Sequence, residues 1–447
     1  MSVTEAMKRI AKRKVSIVSI SYCDIAGVTR SKPVVVSRPR SLMKDGFKTA
    51  RANLDMNMAY PLTPGSRLDI SQGDVSIIPD ASTLVFPAYS PETARMIGWV
   101  RETDGRESRL CARTVLKRIL ESPRSRGYEL VTGLESEYHL VTRKGGQVVP
   151  ADGSGIQTQA GYDEHRAYFA DLVDSLRSVG AEPVKAHVEG GKGQLEVDLS
   201  PQVGLRAADA FVYFKDAAKA IARKHGLIAS FMPKIGAEWW GSGLHVHLNL
   251  RDTKGGNVFS ARSDPRGLGL SQTCYHFVGG VMSHARALSA IAAPTVNAYK
   301  RLLPGRWNAD AVSYGPGNRG AAIRIPDERG KATRLELRMP DNTCNVYLLL
   351  ACLLSAGLDG IQRKLDPGPP LLFDASKMTD RERVSKGLKL LPRSLHEALA
   401  ELENDRLFRR TLGEELFEEF LTQRSFEVSQ AADQVTKWEV THFLDLF

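Results

Sequence analysis

The sequence predicts an α+β protein, with a small β-rich domain over residues 1–106 and a larger domain of strands and long helices over 107–447. Three observations lead there. A chain of 447 residues is too long for one simple core, so two or more domains are expected. Short β-rich runs dominate up to Thr103-Asp-Gly-Arg106, which reads as a turn. Beyond it, strands alternate irregularly with helical periodicity rather than in βαβ units, which is the α+β pattern.

Val15 to Tyr22 is β-rich, Ala26-Gly27 supplies a turn and Val28 to Ser37 returns, so residues 15–37 read as a hairpin. Pro61-Leu-Thr-Pro-Gly65 precedes a short strand at Asp74 to Ile78. A helix is expected over Arg113 to Glu121 and a strand over Tyr128 to Leu140. Helical periodicity returns at 163–178, 205–224, 271–290, 345–363 and through much of 380–447. Further strands are expected at 194–199, 243–250 and 333–339.

Hydrophobic content of 42% with 25% charged residues is that of an ordinary soluble globular chain. The longest apolar run, around Tyr347 to Leu354, is shorter than the ~20 residues that span a bilayer and reads as a buried helix, so no membrane partner is expected. No long apolar segment follows the basic residues Lys8 to Lys14, so no secretory signal is visible. Five scattered cysteines without CxxC spacing argue against a disulfide framework or a zinc site and fit a reducing cytoplasm. The net charge of +10 is dispersed and carries no nucleic-acid-binding motif; it suits an enzyme handling anions.

The chemistry concentrates in short strands with polar residues at i and i+2, which project from one face. They are Glu135-Ser-Glu137, His245-Val-His247 and Arg334-Leu-Glu336-Leu-Arg338, and Glu189 and Glu196 bracket Gly190-Gly-Lys-Gly193. A simply solvated sheet face is the competing reading of any one of them. Together, converging glutamates with a histidine suit Mg²⁺ or Mn²⁺, and converging arginines suit phosphates and carboxylates. Gly315-Pro-Gly317-Asn-Arg-Gly320 matches GxGxxG, but Pro316 and the missing strand–turn–helix context argue against a dinucleotide site. No GxxxxGK[ST] loop occurs.

Six segments in order resemble glutamine synthetases: Glu135-Ser-Glu137; His187-Val-Glu189 with Gly193-Gln-Leu-Glu196; Gly241-Ser-Gly-Leu-His245-Val-His247; Asn297-Ala-Tyr-Lys-Arg301-Leu-Leu-Pro-Gly305; Asn318-Arg319 to Arg324-Ile-Pro326; and Arg334 to Asp341. The resemblance implies an N-terminal β-grasp domain, a catalytic domain whose antiparallel strands form a funnel, and stacked rings, usually a dodecamer, with sites between subunits. It implies one metal on Glu137, Glu189 and Glu196 and a second on Glu135, His245 and Glu336. His247, Arg324, Lys331 and Arg334 would face ATP. Arg301, Arg319 and Arg338 would grip glutamate and the transferring phosphoryl group, and the Gly241 backbone would touch glutamate. The implied reaction is ATP-dependent ligation of the glutamate γ-carboxyl to an amine through an acyl phosphate. A non-catalytic relative that keeps the fold is the alternative.

Departures from the family cluster around the amine. Where ammonia-using members carry a flap glutamate, Gly305 is followed by Arg306-Trp307-Asn308-Ala309. The loop before Gly241 presents Trp239-Trp240 instead of Asp-Asn. Leu54-Asp55-Met-Asn-Met58 is the nearest match to the segment donated across the subunit boundary, with Asp55 as its carboxylate, and Tyr162 matches the tyrosine near the ammonium pocket. Asp374-Ala-Ser-Lys377 stands in the region of the adenylylation segment, so that regulation is not expected. Bare ammonium needs acceptors and carboxylates, whereas aromatic surface suits an amine with an apolar body. An alkyl or aromatic amine is therefore expected in preference to ammonia, which remains the alternative; tryptophans that merely pack between subunits are the competing reading.

Overall fold

The two β-rich stretches form two separate sheets in the computed structural model, which describes residues 1–35, 39–56, 62–125, 127–303 and 308–447. Ser37, Met58, Pro61, Gly305, Arg306 and Trp307, all part of the sequence reading, lie outside the described residues.

The first sheet contains β1 (Ile17–Cys23), β2 (Thr29–Val35), β3 (Phe47–Ala50), β4 (Asp74–Pro79) and β5 (Thr93–Glu102), in the order β2-β1-β5-β4-β3. β1 and β2 form the expected hairpin, and β1 runs parallel to β5. Helix α1 (Val3–Lys12) buries Ala6 and Ile10, and α2 (Pro39–Asp45) packs near β4. The turn after β5 closes through the Glu102 amide, which donates to the Arg106 carbonyl at 2.9 Å.

The second sheet has ten strands: β6 (Tyr128–Lys144), β7 (Gln147–Pro150), β8 (Pro183–Val188), β9 (Gln194–Leu199), β10 (Gln202–Val203), β11 (Ile228–Ser230), β12 (Leu244–Asp252), β13 (Tyr314–Pro316), β14 (Ile323–Ile325) and β15 (Leu335–Leu337). Its main path runs β13-β14-β15-β12-β6-β9-β8, with β7, β10 and β11 paired to β6. All pairs are antiparallel except β13 with β14. The α+β class holds.

Helices α3 (Ala112–Ser125), α4 (Gln159–Ser178) and α5 (Leu205–Lys224) surround this sheet, with α6 (Gln272–Ser283), α7 (Ala285–Ala292), α8 (Ala298–Arg301) and α9 (Val346–Arg363). The C-terminal part adds α10 (Asp380–Ser385), α11 (Leu395–Glu403), α12 (Arg406–Leu412), α13 (Glu414–Ala432) and α14 (Lys437–Phe443). The single helical stretch expected over 271–290 is two helices. The break falls at His284, whose ring sits 2.5 Å from Asp405 Oδ2 through Nδ1 and 3.2 Å from Asp359 Oδ2 through Nε2.

Helix α9 is the centre of the helical layer. It is the one helix among the described residues long and apolar enough to cross a membrane, yet most of its surface is buried inside the protein. It lies against α6 so closely that a Cβ on Gly280 or Gly360 would come within 2.1 Å of backbone in the partner helix. Glycine at the crossing lets the two backbones touch.

Candidate active site

Strand register builds the site. His245 on β12 faces Glu135 on β6, which faces Asp198 on β9; Glu137 faces Glu196, and Glu196 faces His187 on β8. On the other side of β12, His247 faces Glu336 on β15, and Glu336 faces Arg324 on β14. The intervening residues Leu134, Tyr138, Leu244, Val246, Leu335 and Leu337 are buried on the opposite face, which fixes which residues point into the cleft. The polar face is thus a cluster crossing six strands, lining a cleft of about 1190 Å³.

His245 Nδ1 lies 2.6 Å from Glu135 Oε1 and 3.8 Å from Glu336 Oε1, and His247 Nε2 lies 3.2 Å from Glu135 Oε2. Burial alone would raise the Glu336 carboxyl, but His245, Arg338, His247 and Arg324 bring it down to about 2. Burial opposes ionisation of Glu135 as well, and hydrogen bonds from His245 and His247 overcome it, holding its pKa far below the usual range. Glu196 moves the other way, raised by burial and by the neighbouring Glu135, Glu137, Asp198 and Glu189. Carboxylates crowded in this way repel one another unless a cation stands among them.

The donor set fits such a cation. Ligand atoms of Glu135, His245 and Glu336 lie within 4.8 Å of one another, as do those of Glu137, Glu196 and His245, and those of His187, Glu189 and Glu196. Oxygen-rich sets with one imidazole suit Mg²⁺ or Mn²⁺. Glu137 is further placed by the Gly243 amide, which donates to its Oε2 at 2.7 Å.

The arginines gather on the β14–β15 side. Arg324 donates to Glu336 Oε2 at 2.5 Å and Arg338 donates to Glu336 Oε1. Arg324 Nε is buried without a partner, a donor left over for a ligand. Arg301 is almost fully buried and donates to the carbonyls of Met339 at 2.9 Å and Arg338 at 3.0 Å. Much of its hydrogen-bonding capacity therefore braces the backbone after β15.

The cleft brings together most of the expected residues: Glu135, Glu137, Glu189, Glu196, His245, His247, Glu336, Arg301, Arg319, Arg324, Arg334, Arg338, Gly241 and Trp240. Three stand outside its lining. Asp55 is buried in its own chain, where Gln423 Nε2 donates to its Oδ1 at 2.7 Å. Tyr162, near the start of α4, stacks on Phe169 with centroids 5.7 Å apart. Lys331 is exposed on the short turn Gly330–Ala332.

Sequence reasoning gave no role to several residues that line the cleft, among them His187, Gln194, Ile156 and Gln157. His187 was detectable, because it alternates with Glu189 as the two assigned pairs do. Gln194 bridges two loops, accepting from the Gly191 amide at 2.9 Å and donating to the Gly241 carbonyl at 3.0 Å.

Comparison with known proteins agrees with this geometry. The model of the glutamine synthetase catalytic domain matches residues 109–443. The chain is 35% identical to a glutamate–methylamine ligase of Methyloversatilis universalis, with 100% of each chain covered. It is 34% identical to a glutamine synthetase of Methanocaldococcus jannaschii, over 99% of this chain and 98% of that one. A solved GmaS–ADP complex superposes with a TM-score of 0.86 at 31% identity, covering 98% of this chain and 99% of the other. The chain belongs to the glutamine synthetase family.

Proposed function

We propose that this protein is an ATP-dependent ligase that joins the γ-carboxyl of glutamate to an alkyl or aromatic amine, giving a γ-glutamylamide, ADP and phosphate. The observation that carries this reading is the asymmetry of the cleft: carboxylates and histidines at the centre, arginines at the β14–β15 side, and Trp239 and Trp240 at the β8 side. The full-length similarity to a glutamate–methylamine ligase supports it.

In this reading Glu137, Glu189 and Glu196 would hold one Mg²⁺ or Mn²⁺, and Glu135, His245 and Glu336 would hold the second. The ions supply charge neutralisation on the phosphates. His247, Arg324, Lys331 and Arg334 bind the nucleotide, and Arg301, Arg319 and Arg338 with the Gly241 backbone orient glutamate. A γ-carboxylate oxygen of glutamate attacks the terminal phosphorus of ATP, and ADP leaves. The amine nitrogen then attacks the acyl carbon, phosphate leaves, and Glu189 takes the proton that the nitrogen loses. The protein contributes placement and fixed charge rather than a nucleophile.

We further propose a homo-oligomer, a dodecamer of two rings, acting in the cytoplasm, in which Asp55 of one subunit serves a neighbouring site. Burial of Asp55 under Gln423 means that such a role requires its segment to rearrange on assembly. Co-assembly of Asp55→Ala with Arg338→Ala subunits would then restore some sites lacking both lesions, and a fully active monomer would refute it.

Ammonia is the second reading, favoured by the several relatives of 34–36% identity that are glutamine synthetases. Phosphate release and product mass spectrometry with ammonia, methylamine, isopropylamine, aniline, ethanolamine and putrescine decide between them. Ammonia as best acceptor would overturn the amine preference, and AMP with pyrophosphate would overturn the reaction class.

A further inference from the structure

The β8 side of the cleft keeps apolar surface open where the rest is charged. Ile156 is 51% exposed, Val184 59% and Trp240 48%, and all three line the cleft. Half-open apolar side chains on one wall of a polar cleft form a surface that the apolar part of a ligand can cover.

The Trp240 side chain does not hang free. The six-membered edge of its indole lies against Gly190, where a Cβ would come within 2.6 Å of Cζ3 and 2.8 Å of Cε3 and Cη2. At Gly191 a Cβ would meet Gln194 Oε1 at 2.7 Å, Trp240 Cβ at 2.9 Å and His139 Nε2 at 3.1 Å. Carbon atoms pack at roughly 3.5–4.0 Å, so a side chain at 190 and the ring cannot share this space. The requirement is steric and not conformational, because neither glycine has positive φ.

The neighbouring contacts fix the same loop. Trp239 meets His139 edge to face with centroids 5.2 Å apart, and Lys234 donates to the Trp239 carbonyl. Across the same strand end, the Gln157 amide donates to the Val188 carbonyl at 3.0 Å, and the neighbouring residues Ile156 and Glu189 both line the cleft. Gln157 is one of few non-glycine residues with positive φ, 53°, a conformation kept where surrounding contacts over-determine it. Glu189 is adjacent in the chain, and its Oε2 accepts from the Gly190 amide at 2.9 Å. An ammonium group held at the Glu189 carboxylate would have its carbon substituent directed along the indole.

We propose that Gly190 and Gly191 are specificity-determining residues: they seat the Trp240 indole as a fixed wall beside Glu189, and that wall with Ile156 receives the apolar body of a small primary alkylamine. This rests on the amine-ligase reading and deepens it. Alanine at 190 keeps the amide that serves Glu189 but unseats the ring by about 1 Å.

Two readouts on the full-length protein test the seat. The first is oxidation of Trp240 by N-bromosuccinimide, followed by peptide mass spectrometry in the presence of Mn²⁺, ADP and glutamate. Isopropylammonium should slow oxidation of Trp240 at least threefold more than ammonium at equal concentration, and Gly190→Ala should abolish the difference. The second is the ratio of kcat/KM for isopropylamine to that for ammonia. Gly190→Ala and Trp240→Ala should each lower it about tenfold, and the double variant no further, because both remove one wall. Ile156→Ala, at a half-exposed position that does not threaten folding, should lower the ratio about threefold. Equal protection by the two ions, or additive effects in the double variant, overturns the proposal. Selective protection of Trp240 without phosphate release from ATP would leave the seat standing and overturn the ligase reading instead.

Discussion

The two ends of the cleft are held in different ways. At the β14–β15 end, Glu336, Arg324 and His247 sit on paired strands with Arg338 directly after β15, and Glu336 meets both arginines while facing His247 and Arg324 in register. At the β8 end, Ile156, Gln157, Trp239 and Trp240 come from loops, held by glycine clearance and single backbone hydrogen bonds. Charges meant for phosphoryl transfer gain from rigid placement, because they need not reorganise during reaction. A specificity wall on loops can change shape without disturbing the sheet. The proposed roles thus keep the chemistry and the choice of acceptor separable in this fold.

The strongest way to break that comparison is at Glu336. Glu336→Gln removes a proposed metal ligand and the shared partner of two guanidinium groups, and ADP-forming turnover should fall at least ~10³-fold for every acceptor. Circular dichroism should still report a folded protein; loss of fold would make Glu336 a structural residue. Arg324→Lys is milder. The planar fork is lost while charge remains, so KM for ATP should rise roughly 10–100-fold with the ranking of amines unchanged. A changed ranking would mean that the two ends communicate.

Asp55 lies at neither end and offers a control on stability. Burial pushes its carboxyl up to about 7. The unfolded chain titrates near ~3.9. Between these values the folded state holds a proton that the unfolded state lacks, so this contribution is complete below about pH 4 and declines as pH rises towards 7. Asp55→Asn should therefore gain on the parent protein by about 3 kcal/mol between pH 4.5 and pH 8 in urea unfolding. A difference that stays flat with pH would show that Asp55 ionises normally. The smallest effect is expected for Trp239→Ala, which should lower the preference for isopropylamine over ammonia about threefold, near the worth of one buried methylene. KM for ATP should not move.

The site's centre was legible in the sequence because strand alternation is a local property. Glu135 with Glu137, His245 with His247, and Arg334 with Glu336 and Arg338 each declare a common face within a few residues. What alternation cannot give is register, so the pairing of His187 with Glu196 appears only in the structure. Loop docking is less local still. Tyr162 was expected near the amine, but it stacks on Phe169, while Ile156 and Gln157 reach the cleft through a bond to Val188. The division of the 271–290 helix was hidden for a related reason: no glycine or proline marks His284, and the carboxylates flanking it come from residues 359 and 405.

The burial of α9 also has a history in time. Its companions α3, α5, α6 and α7 all precede it in the chain, so most of its groove is already synthesised when Val346–Arg363 leaves the ribosome. The face that meets α12 must wait for about forty more residues. At roughly 5–20 residues per second that is an interval of several seconds at most. The most apolar helix of the protein is therefore made late, when nearly everything that shelters it has already been made.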